Sequence, residues 1–234
     1  MPSANTFETA RPARSAPPRR RRRRRRRLNP RPFLLLLLLA LVIGGVLFAR
    51  RSLAPAADSV PVPDYVKRDF LTVNPYSRPG DELKTIRGVV IHYVGNPSTT
   101  AKANRDYFES LSAGTDGTYA SSHFVVGLEG EVIQCVPLSE IAYASNSRNE
   151  DTVSIEVCHP DETGQFSPET YDSVVRLTAW LCETFQLDPQ ADVIRHYDVT
   201  GKICPRYYVE YEDAWAALKD DVAARMAEDA AAAS

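Results

Sequence analysis

The stretch TIRGVVIHYVGNPS, residues 85–98, decides the fold class. Val89, Val90 and Ile91 form a strongly apolar, β-rich run, and a Gly-Asn-Pro turn follows at once. Such a run reads as a strand, and the turn residues end it. His92 stands near the C-terminal end of that strand. In α/β proteins that end is where functional groups are commonly placed.

Working outward, strands and helices alternate. Residues 100–112 have helical character, with Tyr107, Phe108 and Leu111 spaced as one apolar patch. The segments SHFVVG and EVIQCVP read as short strands around a hairpin, and TVSIEV (152–157) as another strand. Ser167 is a plausible N-cap and Pro168 fits the first helical position. Val174, Val175, Leu177, Leu181 and Phe185 supply the buried face of that helix. A last helix over 212–229 carries Trp215, Leu218, Val222 and Met226 at helical spacing. The pattern predicts one α/β domain of roughly 160 residues, enough to bury its own core.

Charge is segregated along the chain. Residues 1–32 hold twelve arginines and one glutamate, nine of the arginines consecutive from Arg19 to Arg27. Outside that segment and the pair Arg50–Arg51, 14 basic residues face 29 acidic ones. Directly after the basic run comes FLLLLLLALVIGGVLFA, residues 33–49, seventeen uncharged residues. That length is at the lower edge of a membrane-spanning helix, about 17–25 residues. The basic flank predicts an N-terminus in the cytoplasm and a chain outside it after Arg51. An arginine run alone would also suit nucleic acid, but the adjoining apolar run supplies a better reason, and no nucleic acid is expected. The run is long for a cleaved signal peptide, and Arg50 and Arg51 separate it from the small residues at 54–57. The expected organisation is a cytoplasmic tail over 1–32, an anchor over 33–49, a linker over 50–64 and a catalytic domain over 65–230.

The loop IRHYDVTGKICP, residues 194–205, packs His196, Lys202 and Cys204 together. With His92 these make two imidazoles and one thiol. Three ligands leave the fourth zinc position open, as in catalytic sites. His123 and His159 are the remaining histidines and are placed outside the ligand set; His123 is read as packing or contacting substrate. Asp198 is a candidate acceptor for His196. Cys135, Cys158 and Cys182 leave a disulfide open, since an exported domain permits one, with Cys182 read as core.

The motifs IHYVGN, SSHFVVGLEGEVIQCVP, VSIEVCHP and IRHYDVTGKICP, in this order, resemble those of the zinc-dependent N-acetylmuramoyl-L-alanine amidases. That family shares the fold of phage-lysozyme-type amidases and peptidoglycan recognition proteins. The resemblance covers roughly residues 65–220. It implies a central mixed β-sheet flanked by helices, a zinc ion held by His92, His196 and Cys204, and catalytic roles for Glu156 and Lys202. It implies peptidoglycan as substrate, cleaved at the amide between N-acetylmuramic acid and L-alanine. One branch of the family carries a tyrosine just before the position of His123; here that residue is Ser122, so the acid/base role falls to Glu156. Strand alternation puts Ser154, Glu156 and Cys158 on one face, away from Val153, Ile155 and Val157. The rival expectation is a non-catalytic peptidoglycan sensor on the same fold; Cys204, Glu156 and Lys202 together argue against it.

Overall fold

The computed structural model describes residues 57–115 and 117–232. Six strands form one sheet: β1 (Val66–Arg68), β2 (Val89–Tyr93), β3 (Phe124–Val126), β4 (Val132–Gln134), β5 (Val153–Val157) and β6 (Val193–Arg195). Their order across the sheet is β1-β4-β3-β5-β2-β6. The β3–β4 hairpin is antiparallel and every other neighbouring pair is parallel. This is the mixed sheet that the resemblance implies. Parallel neighbours need crossovers, and helices supply them: α1 (Ala101–Ser110), α2 (Pro168–Phe185), α3 (Pro189–Asp192), α4 (His196–Thr200), α5 (Arg206–Glu210) and α6 (Glu212–Ala232).

The sheet is covered on both faces. On one face α2 and α6 bury Ile91, Phe124, Ile155, Leu177, Leu181 and Leu218 in a single cluster. On the other, Phe108 and Leu111 join Val94, Val125, Ile133 and Cys158. Double coverage explains why β2 shows no alternation: Val89, Val90, Ile91 and His92 are all buried. It also changes the reading of β5. Glu156 does point away from the aliphatic Val153–Ile155–Val157 side, toward the face that carries the second cluster, and it is half-buried there.

Local signals set the helices as expected. Ser167 Oγ accepts the Thr170 N–H at 3.2 Å and Pro168 occupies the first turn of α2. All five residues predicted for its inner face are buried. In α1, Phe108 is buried but Tyr107 is 49% exposed, so the predicted three-residue patch loses its tyrosine to the surface. The hairpin turn needs Gly130, whose φ is +78° and whose added Cβ would meet the Glu169 carbonyl oxygen at 2.8 Å.

Two strands have no clear signal in the sequence. β1 and β6 are three residues each, as β3 and β4 are, but they lack the apolar run and the hairpin turn that mark those two. Ala57, Val60 and Val62, from the stretch read as linker, pack against the core. The tail, the apolar segment 33–49 and residues 50–56 lie outside the described residues; among those described, no helix is long and apolar enough to cross a membrane.

Candidate active site

Three parallel strands deliver the site. β5 and β6 flank β2, and the register pairs His92 with Glu156 and Ile91 with Arg195. Residues paired in register on adjacent strands point to the same face, so His92 and Glu156 stand side by side. His196 follows Arg195 as the first residue of α4. Cys204 comes from farther along the chain and is folded back. Helix α4 lasts five residues and stops at Gly201, in the left-handed region at φ 77°. The chain then reverses, and the Cys204 carbonyl accepts the Tyr197 N–H at 2.9 Å.

That reversal answers why His196 and Cys204 share one loop. One donor atom each from His92, His196 and Cys204 lies within 4.8 Å of the others, and all three residues are buried. Cys204 Sγ sits 4.0 Å from His92 Nδ1. The two imidazole rings are 4.6 Å apart between centroids. The loop is anchored from below by Arg195, which is itself buried. Its guanidinium donates to Asp198, Glu212 and the Tyr208 carbonyl at 2.8–2.9 Å. Asp198 is therefore engaged by Arg195, and it is Asn146 Oδ1 that lies 3.1 Å from His196 Nε2. The expectation that Asp198 orients His196 is corrected accordingly.

The electrostatics are those of a buried, electron-rich cluster. Burial holds His92 well below the usual histidine range, with His196 and Lys202 adding to the effect. Burial, then Lys202, lowers His196. Both shifts favour the neutral ring, the form with a lone pair to offer a cation. Burial pushes the Cys204 thiol up to about 12, Glu156 reinforcing it while the Tyr93 N–H and Lys202 oppose. Burial likewise pushes the Glu156 carboxyl up to about 8, against the charge of Lys202. Glu156 Oε2 is buried without a hydrogen-bond partner. Lys202 is exposed, yet its charge reaches all four groups.

This donor set fits zinc. Two imidazole nitrogens and one sulfur are borderline-to-soft ligands, and three protein ligands leave a fourth position open. A thiol this buried ionises readily only against a cation. An unpartnered carboxylate oxygen beside the ligands lacks a partner within the protein. A cavity of about 490 Å³ opens at Glu156, lined also by Asn96, Asn104, Tyr107 and Phe108.

Residues 82–207 match the family model described as N-acetylmuramoyl-L-alanine amidase. The chain belongs to that family. It is 31% identical over 177 residues to the N-acetylmuramoyl-L-alanine amidase BlyA of Bacillus subtilis (strain 168), covering 67% of this chain and 46% of that one. It is 32% identical over 156 residues to the amidase CwlL of Bacillus licheniformis, covering 62% and 42%. The chain thus spans less than half the length of these curated relatives. Among solved structures, the catalytic domain of XlyA superposes with a TM-score of 0.57 at 26% identity, over 67% of this chain and 98% of that one.

Within this amidase-family domain the other histidines are structural. His123, expected to pack or to contact substrate, packs: both ring nitrogens are used internally. Its Nδ1 accepts the Ser154 N–H at 3.0 Å, which leaves Nε2 to donate to the Glu140 carbonyl, also at 3.0 Å. His159 Nε2 lies 2.9 Å from the Val94 carbonyl oxygen and its ring stacks on Tyr93. All four cysteines are free and buried, so no disulfide forms among Cys135, Cys158 and Cys182.

The state of His123 has a measurable consequence. Burial pushes it down to about 4, while the Glu140 carbonyl and carboxylate oppose. The unfolded chain takes up this proton near the ordinary value of about 6.5. A depressed folded-state value means that the unfolded state binds more protons between those two limits. Stability from this group is therefore complete above pH ~6.5, declines as pH falls toward about 4, and is flat below. The loss amounts to about 3 kcal/mol, at 1.36 kcal/mol per pKa unit. Denaturant unfolding at pH 7 and pH 4.5 should show a larger acid loss for the wild type than for His123→Gln. Equal losses would exclude His123 as a source of acid lability.

Proposed function

We propose that this protein is a zinc-dependent peptidoglycan amidase that hydrolyses the bond between N-acetylmuramic acid and the L-alanine of the stem peptide. The observation that carries the reading is the convergence of His92, His196 and Cys204 within 4.8 Å, beside Glu156, in a domain of the amidase family. A zinc ion bound there supplies Lewis acidity, which activates water and polarises the amide carbonyl. His92 and His196 offer neutral nitrogens for it, and Cys204 offers the anionic sulfur.

Glu156 moves the proton. With a cation held beside it to favour its ionised form, its carboxylate would take one from the attacking water and pass it to the departing nitrogen, which would otherwise leave as a poor amide anion. Its place in register beside His92 puts it at the site, and its buried, unpartnered oxygen leaves it free for that task. Lys202, two residues before Cys204 on the same loop, places positive charge where negative charge develops on the carbonyl oxygen.

The test is to incubate the full chain with purified cell walls and zinc and to follow new N-terminal alanine. Release of alanine amine is expected. Binding to walls without any release would replace this reading with that of a sensor.

The distribution of charge and hydropathy supports a location. Nine arginines followed by residues 33–49 suit a single membrane anchor with the N-terminus inside and, after the linker 50–64, the catalytic domain 65–230 outside. A reporter fused after Ser234 should be active only outside the cytoplasm; activity confined to the cytoplasm would overturn this topology.

A further inference from the structure

The loop between β4 and β5 carries the pair Ser145–Asn146, which no motif of the sequence singles out. Each residue meets one of the two histidines. Ser145 Oγ lies 3.1 Å from His92 Nε2, and Asn146 Oδ1 lies 3.1 Å from His196 Nε2. The loop does not depend on the histidines for its shape. Asn149 Oδ1 accepts the N–H groups of Ala144 and Ser145 at 3.1 and 2.6 Å, and the Ser145 carbonyl accepts the Arg148 N–H at 2.9 Å. Ser145 is 1% exposed. The pair is a preformed shelf under both rings.

Asn146 shows what the shelf is for. Its φ is 51°, in the left-handed region, where glycine is the unstrained choice. It is also solvent-exposed, so packing does not require a side chain there. What asparagine offers and glycine lacks is a carbonyl oxygen, and that oxygen is aimed at His196. An amide oxygen only accepts hydrogen bonds, so it selects the tautomer of His196 with the proton on Nε2 and leaves Nδ1 bare. At His92 the same ring orientation holds. Nε2 faces Ser145, while Nδ1 is the nitrogen that faces Cys204 Sγ at 4.0 Å.

We infer that Ser145 and Asn146 are positioning residues that hold both histidines with Nδ1 toward the metal, Asn146 setting the tautomer of His196. The inference rests on the zinc reading above. Partners of this kind on the far nitrogen fix ring orientation and raise ligand basicity, and their loss commonly weakens metal binding by about 10–100-fold.

The test uses the full chain in detergent: wild type, Asn146→Gly, Asn146→Asp and Ser145→Ala. Zinc affinity is measured by competition with a chromogenic chelator, and long-range ¹⁵N–¹H spectra of the zinc-loaded protein report which ring nitrogens carry protons. Asn146→Gly suits φ 51° and keeps the loop, so its melting temperature should stay near that of the wild type. Its zinc affinity should fall about 10–100-fold, and the His196 Nε2–H signal should lose its hydrogen-bonded shift. Asn146→Asp keeps an acceptor oxygen and should retain affinity; Ser145→Ala should weaken binding through His92. In the wild type both histidines should be protonated at Nε2. If the wild type binds zinc and Asn146→Gly binds it equally well, the positioning role is overturned while the zinc site stands. Wild-type histidines coordinating through Nε2 overturn it too. A wild type that takes up no zinc overturns the zinc reading and this inference together.

Discussion

Cys204→Ser is expected to strip the site of tightly held zinc and to lower turnover of cell walls by about 10³-fold or more. The two side chains are similar in shape, so packing changes little at this buried position. The chemistry differs: a metal ionises a coordinating thiol outright, whereas a serine hydroxyl stays protonated and neutral. Two neutral imidazoles would then face the cation without an anionic partner. Lewis acidity of the kind the ion supplies is worth several kcal/mol, and each 1.36 kcal/mol is tenfold in rate. Metal content by atomic emission, together with alanine release, reads both effects. Full zinc occupancy and wild-type turnover in this variant would remove Cys204 from the ligand set. The buried, internally bonded state of His123 and His159 offers no ready substitute among the histidines.

The second large effect separates proton transfer from metal binding. Glu156→Gln preserves the outline of the side chain and removes the carboxylate. Zinc should remain, because the three convergent donors are His92, His196 and Cys204. Wall fragments should still bind, and turnover should fall by about 10²–10⁴, the usual contribution of a positioned acid/base. The fold should tolerate the change well. A carboxyl pushed up to about 8 by burial is costly to ionise there, and an amide carries no such penalty. Stability at or above the wild type, alongside the rate loss, would mark Glu156 as a residue kept for chemistry. Wild-type turnover in Glu156→Gln would make it a bystander and transfer the proton-moving role to another group, Lys202 being the first to examine.

Several parts of the domain were legible residue by residue. The apolar run of β2, the Ser167–Pro168 start of α2 and the inner faces of α2 and α6 follow from short-range rules of period, capping and burial. Those rules act within a few residues and survive in the bare sequence. β1 and β6 did not, because neither three-residue strand has the flanking hairpin turn that exposes the equally short β3 and β4. Tyr107 was misplaced because helical spacing tells which residues share a face, but not how far the covering sheet extends over it. Asp198 was assigned to His196 by nearness in sequence, yet the buried Arg195, one residue farther along the chain, engages it first.

The sequence by itself determined the alternation of strands and helices, the four amidase motifs in order, and the residue types suited to a three-ligand zinc site. Tertiary structure decided how these meet. The parallel register of β2 and β5 sets His92 beside Glu156, the turn at Gly201 returns Cys204 to His196, and the β4–β5 loop brings Ser145 and Asn146 under the two rings. Apart from His196 and Cys204, eight positions apart, these contacts join residues 50 to 64 positions apart, where pairing depends on strand order and loop closure. No local pattern encodes such neighbours; they exist only once the sheet has formed.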